Sequence, residues 1–291
     1  MCNLNQQIKL PDGRRLGYDE RGPENGKPLF YFHGSPSSRV ESKLYISVEL
    51  LRSLNVRLIA VDRPGLGLSD FQPNRRYLDF PRDILTLANH LNIERFAILA
   101  YSGGGPYGEA CALSIPHLLT RVGIVSGTAP FNQPGLTDGI PAENLRYFAL
   151  SVEKPWLARL LLGMIAATTR FAPDKMVANA HATLPEPDRL ALNEPEDRAG
   201  FLTMILEALR QGPRGAQHDT RLMVTDWDFR PQEIQMPIVL WHGEQDKNAP
   251  IAMGHFMANA IPKCEVKFYP DEGHLSLFKK KAAEIIHTLI N

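Results

Sequence analysis

The chain has 291 residues, of which 44% are hydrophobic and 22% are charged, which are ordinary values for a globular protein. This length is sufficient for one large domain with or without an insertion. Lysine plus arginine and aspartate plus glutamate each total 32, so no net charge exists to attract nucleic acid, an acidic membrane surface or an acidic substrate.

The amino-terminal segment and the apolar segments favour a soluble protein of the cytoplasm, without membrane contact. Residues 1–10 are polar and lack the cationic start and apolar stretch of a secretory signal. The apolar segment 157–167 is too short to cross a membrane and contains Arg159. Three widely spaced cysteines predict reduced thiols rather than a disulfide framework or a zinc site.

Short apolar runs alternate with longer helical segments, a pattern typical of strand–helix–strand crossovers around a buried, mostly parallel sheet. Pro11-Asp12-Gly13 predicts a hairpin turn between two antiparallel entry strands. The eight predicted strands span residues 7–10, 15–20, 27–32, 56–61, 96–101, 122–126, 237–241 and 266–269. Near the carboxyl end, an apolar stripe predicts a helix that covers one face of the sheet, with the members Phe278, Ala282, Ile285, Ile286 and Leu289.

The alternation breaks over residues 128–218, where no convincing strand occurs and prolines punctuate several helical segments. This break predicts an inserted helical cap on a core formed by residues 1–127 and 219–291. We expect most apolar side chains of the cap to pack within it and some to face a pocket. Among them, Trp156 is a candidate substrate contact.

A nucleophile is predicted within residues 100–104 (AYSGG), directly after the fifth strand and before a helix rich in small residues. A serine at such a strand–turn–helix junction has a strained backbone, which requires small neighbours two positions before and after it. Ala100 and Gly104 meet this requirement, and the amino-terminal amides of the helix favour negative charge beside the serine. Ser102 is therefore the predicted nucleophile, and Tyr101 is a candidate substrate contact.

A serine hydroxyl is a weak nucleophile unless a base takes its proton, so a histidine is required on another loop. His274 fits because it follows the last predicted strand, at the sheet edge where sites of open α/β sheets lie. Asp246 follows the seventh strand at the same edge and would orient the imidazole, with Glu244 as the lower-ranked rival. The chain order Ser102, Asp246, His274 is a known order for such a triad.

Two backbone amides are candidates to bind the negative oxygen that develops on an attacked carbonyl group. One belongs to Gly103, directly after the nucleophile, and the other to Ser35, in the loop after the third strand. In that loop Gly34 permits a tight turn and is a further candidate substrate contact. His33 is expected to brace the loop by hydrogen bonding.

These motifs together resemble the α/β-hydrolase superfamily, in the branch with a His-Gly-x-Pro oxyanion loop and a helical cap. The resemblance covers nearly the whole chain, through residues 33–36, 62–69, 100–104, 243–246 and 273–274. It implies the α/β-hydrolase fold, with a mostly parallel eight-stranded sheet, helices on both faces and an inserted cap.

Some relatives with this loop, such as haloalkane dehalogenases and epoxide hydrolases, use an aspartate nucleophile. Ser102 at that position argues against both activities. It favours cleavage of an ester, thioester, lactone or amide of a small molecule through an acyl-serine, as in serine esterases and, second, prolyl aminopeptidases. The one departure from Gly-x-Ser-x-Gly is Ala100, which is also small.

Two other functions remain open at this point. An acyltransferase or perhydrolase would use the same acyl-enzyme with an acceptor other than water. A non-catalytic receptor would bind a small ligand under the cap. None of these functions requires a metal or cofactor, and the scattered histidines form no metal-binding spacing. The oligomeric state is left open.

Overall fold

The computed structural model describes residues 2–291, and within them a single eight-stranded sheet forms the centre of the molecule. The strands are β1 (Cys2–Lys9), β2 (Arg15–Arg21), β3 (Lys27–Phe32), β4 (Val56–Val61), β5 (Phe96–Tyr101), β6 (Leu119–Val125), β7 (Ile238–Gly243) and β8 (Cys264–Tyr269). Their order in the sheet is β1-β2-β4-β3-β5-β6-β7-β8.

Only the entry to the sheet is antiparallel. Strand β1 pairs antiparallel with β2, which pairs antiparallel with β4, and every later pair is parallel. This topology confirms the predicted hairpin and the mostly parallel sheet. The first strand begins at Cys2 rather than at Gln7, because the exposed residues at its start continue the ladder with β2 beyond the apolar part.

Helices cover both faces of the sheet. The helices are α1 (Ser42–Tyr45), α2 (Val48–Ser53), α3 (Phe80–His90), α4 (Gly105–Ser114), α5 (Ala142–Glu153), α6 (Pro155–Phe171), α7 (Pro173–Thr183), α8 (Glu186–Ala191), α9 (Pro195–Ala208), α10 (Arg214–Val224), α11 (Ile251–Ala260) and α12 (His274–Ile290). One-turn 3-10 helices occur at Arg39–Glu41, Tyr77–Asp79, Ser102–Gly104, Pro116–Leu118 and Pro231–Glu233.

The helices on the two faces of the sheet belong to two different hydrophobic clusters. Ile84 of α3 and Met253 of α11 belong to one cluster, and Leu51 of α2 and Phe278 of α12 belong to the other. The carboxyl-terminal stripe is buried as predicted, at 4% exposure or less for each of its five members. Burial of such an apolar side chain contributes about 1.5–3 kcal/mol, so the stripe fixes α12 firmly on the sheet.

Helices α5 to α10 form a helical insertion between β6 and β7, where the described chain contains no strand. The insertion has a small core of its own, which includes Leu162, Met204 and Ile205 and also takes in Leu66 of the loop after β4. Helix α10 runs through residue 218, at which the cap was expected to end. No helix within residues 2–291 is both long and apolar enough to cross a membrane.

Candidate active site

Ser102 lies at the sharp turn that joins β5 to α4. Its φ of +52° lies in the left-handed region, which side chains rarely adopt. The turn is possible because its neighbours are small: a Cβ on Gly104 would lie 2.4 Å from the carbonyl oxygen of Phe32, and one on Gly108 would lie 3.0 Å from Cβ of Ala100. The turn therefore presents the serine beyond the carboxyl end of the strand.

His274 and Asp246 are hydrogen-bonded to each other at the carboxyl edge of the sheet. Nδ1 of His274 lies 2.7 Å from Oδ2 of Asp246, and both residues are 5% exposed. The amides of Asn248 and Ala249 donate to the other oxygen of Asp246 at 2.8 and 2.9 Å. These bonds hold the carboxylate toward the imidazole, whereas the rival acid Glu244 is exposed.

Electrostatics in this pair favour a positively charged imidazole. Burial alone would lower the pKa of His274, but the carboxylate of Asp246 raises it. Smaller contributions from Asp188 and Glu41 act in the same direction, and the pKa lies above its ordinary value. Burial would likewise raise the pKa of Asp246, yet His274 holds it below its usual range.

The loop after β3 lies directly beside the turn that carries Ser102. A Cβ on Gly103 would lie 2.9 Å from Cβ of Ser35 and 3.5 Å from the Ser35 amide nitrogen. A Cβ on Gly34 would lie 3.2 Å from Cβ of Ser102. Ser35 and Gly103 are thus neighbours, close to Ser102.

A buried cluster of charged side chains holds the loop after β3 in place. Arg63 donates to the carbonyl oxygens of His33 and Gly34, the latter at 2.9 Å, and its own amide donates to Nε2 of His33 at 3.2 Å. Arg63 also pairs with Asp219 of α10 at 2.5 Å, and Asp219 accepts the hydroxyl of Ser35 at 2.8 Å. His33 therefore braces the loop, together with an arginine and an aspartate from distant parts of the chain.

Asp219 is the centre of this cluster. It also accepts Arg75 at 2.8 Å and the hydroxyl of Tyr107 at 2.6 Å. Burial would raise the pKa of Asp219, but Arg63 and then Arg75 lower it, so the carboxylate is held well below its usual range. A buried charge of this kind requires its partners, because removing them leaves an uncompensated ion.

Glu41 is a second buried carboxylate beside the loop. Its Oε2 accepts the Gly34 amide at 2.8 Å and the Tyr31 hydroxyl at 2.6 Å. Burial raises the pKa of Glu41 above its ordinary value. Glu41 thus binds the amide of Gly34, whereas Arg63 binds its carbonyl oxygen.

A cavity of about 620 Å³ lies between the carboxyl edge of the sheet and the helical insertion. This volume falls within the range of small-molecule sites. Five of the eight predicted site residues line its floor, namely Gly34, Ser35, Tyr101, Ser102 and His274. Its upper wall is mostly apolar and includes Leu161, Ile165, Met176, Phe201, Met204 and Ile205.

Trp156 does not line this cavity and is 67% exposed. It lies nine residues before Ile165, a separation of about two and a half helical turns, which places the two side chains on opposite faces of α6. Tyr101, in contrast, lines the cavity and donates its hydroxyl to the carbonyl oxygen of His274 at 3.1 Å.

A second concavity, of about 730 Å³, lies at the other end of β6, β7 and β8 and is lined by residues such as Arg121 and Lys263. Sites of open α/β sheets lie at the carboxyl ends of the strands, so we assign no role to this concavity. Residues 2–291 contain no group of three or more histidine, cysteine or acidic side chains that could hold a metal ion.

Sequence reasoning missed Glu41, Asp188, Asp219 and Lys279, all of which line the cavity or support its floor. Asp188 and Asp219 reach the site only through contacts with residues 86 and 184 positions away in the chain, so no local pattern could have found them. Glu41 and Lys279 lie closer in sequence, after β3 and on α12, but neither belongs to a motif that marks a site.

The sheet has antiparallel first strands, parallel later strands and a cavity at the carboxyl ends of the parallel strands. These features define an α/β protein with a helical insertion before the seventh strand. The family model described as "alpha/beta hydrolase fold" matches residues 27–281. The chain therefore belongs to the α/β-hydrolase fold family.

Known proteins resemble the chain over nearly its full length. An uncharacterized hydrolase of Saccharomyces cerevisiae is 23% identical over 281 residues, which is 93% of this chain and 91% of that protein. A 2-hydroxy-6-oxononadienedioate/2-hydroxy-6-oxononatrienedioate hydrolase of Cupriavidus pinatubonensis is 26% identical over 249 residues, 83% of this chain and 78% of that protein. A solved thermophilic esterase from Thermogutta terrifontis has a TM-score of 0.68 and 22% identity, covering 98% of this chain and 97% of that chain.

Proposed function

We propose that the protein is a serine hydrolase that cleaves a carboxylic ester or related acyl compound. The observation that carries the proposal is the convergence on one cavity of Ser102, on its left-handed turn, and His274, hydrogen-bonded to Asp246. The hydrolases and the esterase among the similar proteins support the same class of reaction.

In the first half of the reaction, Oγ of Ser102 attacks the acyl carbonyl carbon while His274 takes the hydroxyl proton. Because Nδ1 of His274 is bound to Asp246, the proton goes to Nε2. The amides of Ser35 and Gly103 bind the resulting oxyanion. Collapse of this intermediate breaks the bond to the leaving group, which departs with the proton from His274 and leaves an acyl-serine.

In the second half, water attacks the acyl-serine while His274 again takes a proton. The second tetrahedral intermediate releases the carboxylic acid and returns the proton to Ser102. The pKa of His274, which the Asp246 carboxylate raises against the effect of burial, favours the imidazolium that forms in both halves.

The cavity walls favour a substrate with an apolar portion. Leucine, isoleucine, methionine and phenylalanine side chains of the insertion face the nucleophile, and the charged side chains at the cavity include Glu41, Glu143, Asp197 and Lys279. An uncharged ester with an apolar acyl or alcohol group would bury this surface without leaving a charge unpaired. We therefore propose an esterase as the first candidate, ahead of an aminopeptidase.

We also propose that the insertion acts as a cap over this site, with residues 128–218 as the cap and the remainder as the core. The walls contributed by α6 and α9 support this division. Helix α10 bridges the two parts, because its residues before and after position 218 belong to one continuous helix.

The test is labelling of the protein with a fluorophosphonate, together with hydrolysis of p-nitrophenyl esters of increasing acyl length. We expect the label on Ser102, and we expect Ser102→Ala to lose labelling and to reduce kcat/KM by at least about a thousandfold. Ester hydrolysis by Ser102→Ala at the wild-type rate would overturn the proposal.

Ser126→Ala is the matched control. Ser126 also follows a central strand, has a φ of +49° and is buried, but it does not line the cavity. We expect this variant to keep both labelling and activity. Product analysis with an added alcohol or with peroxide separates hydrolysis from acyl transfer, because only the latter gives a new ester or a peracid.

A further inference from the structure

Asp188, on α8 of the insertion, binds the first turn of α12, which begins with His274. Its Oδ2 accepts the amide of His274 at 2.9 Å, and its Oδ1 accepts the amides of Leu275 and Ser276, each at 2.9 Å. Helix starts leave such amides unpaired unless a side chain or water accepts them. The residue before this helix is Gly273, so the accepting carboxylate comes from the insertion instead.

The fit of Asp188 against this turn is close. Asp188 is 0% exposed, and a Cβ on Gly273 would lie 2.5 Å from its Oδ1. The φ of Gly273 is −99°, which any residue adopts, so it is the proximity of the carboxylate that requires glycine here. Nearby, Nζ of Lys279 on α12 donates to the carbonyl oxygen of Ala191 at 3.0 Å and pairs with Asp197. Both contacts attach α12 to the insertion.

We propose that Asp188 is a positioning residue, which holds His274 in place for proton transfer only while the insertion is seated on the sheet. The inference rests on the proposed function of His274 as the base. The three hydrogen bonds to backbone amides fix the position of the first turn of α12, from which the His274 side chain projects. They come from the insertion, which also forms a wall of the cavity. A displaced insertion would therefore release the base together with the substrate.

The charge of Asp188 adds a measurable signature. The titratable groups that face His274 are Asp246 after β7, Asp188 on α8, Glu41 after β3, His242 on β7 and Tyr101 on β5, whose ring centroid lies 5.0 Å from that of the imidazole. The three carboxylates raise the pKa of His274, against burial. Replacing Asp188 with a neutral side chain removes one of them, so the pKa of His274 falls.

The experiment compares Asp188→Asn with Glu186→Gln, which removes an exposed carboxylate from the same helix. The acid limb of the kcat/KM profile and the NMR titration of the His274 ring, assigned with His274→Gln, are measured for both. We expect Asp188→Asn to shift both to lower pH and to lower kcat by about tenfold to a hundredfold, with little change in KM. Glu186→Gln is expected to leave the pH limb where it is.

Gly273→Ala tests the contact without removing the charge, and it serves even if the Asp188 variants do not fold. Its Cβ displaces the carboxylate from the amides, so kcat is expected to fall. In the Asp188→Ala background this substitution has no carboxylate to displace. The double variant is therefore expected to be no slower than Asp188→Ala alone.

The inference would be overturned if Asp188→Asn and Glu186→Gln had the same acid limb of the kcat/KM profile and the same kcat. It would also be overturned if Gly273→Ala lowered kcat in the Asp188→Ala background by the same factor as in the wild type. Fluorophosphonate labelling of wild-type Ser102 distinguishes a failure of the role of Asp188 from a failure of the proposed function. With labelling present, such results remove only the role of Asp188. With labelling absent, the proposed function fails, and the inference fails with it.

Discussion

His274 is the residue whose charge sets the pH range of the proposed reaction. Only the neutral imidazole accepts the serine proton, and its pKa is raised because Asp246 outweighs the effect of burial. Activity should therefore rise with pH through a midpoint above about 6.5, the ordinary value for histidine. A pH profile of kcat/KM on a neutral ester checks this, and a midpoint below that value would contradict the assignment of the base.

Asp246→Asn is expected to lower kcat by about four decades, because the amide no longer selects the reactive tautomer or stabilises the imidazolium. Glu244→Gln is the matched control, since Glu244 lies two positions earlier in the same loop but is exposed and unbonded to the histidine. Single-turnover kinetics on both variants decide between the two acids. A larger loss in Glu244→Gln would exchange their roles.

At this scale, sequence reasoning predicted the residues that follow strands, together with His33 as a brace, but missed the buried carboxylates that support the site. Ser102, Asp246 and His274 each lie just beyond the end of a parallel strand, where local pattern predicts a site. Trp156 was predicted as an apolar side chain of the cap that could face a pocket, and the structure places it on the outer face of α6. Which face of a cap helix is turned toward the cavity depends on tertiary packing, and this packing cannot be read from the sequence.

At the scale of elements, the loop after β3 depends on α10. Asp219 of that helix binds the loop hydroxyl of Ser35 and pairs with Arg63 and Arg75. Asp219→Asn is expected to destabilise the protein by about 3–5 kcal/mol, because two buried guanidinium groups lose their carboxylate. The surface pair of Arg15 and Asp70 provides the control, since Asp70→Asn should cost less than about 1 kcal/mol.

Urea unfolding at several pH values tests the same cluster. The pKa of Asp219 is lower in the folded than in the unfolded protein, because Arg63 and Arg75 outweigh burial. Its contribution is therefore complete above the unfolded value of about 4 and declines only as the pH falls below it. The difference in unfolding free energy between wild type and Asp219→Asn should be constant from pH 8 to pH 5, at about 3–5 kcal/mol. A difference that shrinks within that range would contradict the buried ion cluster.

Elements with strong periodicity were predicted well. The central strands and α12 were recognised because each buries a continuous run or a complete stripe against the sheet. The bounds of α5 to α10 could not be read in the same way. Their apolar residues divide between a small internal core, the cavity and solvent, so no single face repeats along the sequence.

For the whole molecule, the cavity between sheet and insertion should set acyl-chain preference. Met204 lines the cavity from α9, and Met204→Trp would fill part of it. We expect kcat/KM for octanoyl esters to fall relative to acetyl esters. Leu206→Trp, on the exposed side of the same helix, should leave this ratio unchanged. The ratio of the two rates in each variant is the measurement, and an unaltered ratio in Met204→Trp would place the acyl group elsewhere.

Asp219 and Asp188 have a practical consequence for engineering by domain exchange. A graft that replaces residues 128–218 with the insertion of a relative would keep Asp219 but cut α10 in its middle, and it would discard Asp188. The recipient would then retain every residue of the proposed triad yet lose one anchor of the proposed base, with a severed helix beside the loop after β3. A chimera that ends after Val224 and carries an aspartate opposite Gly273 and a second one opposite Arg63 avoids both losses.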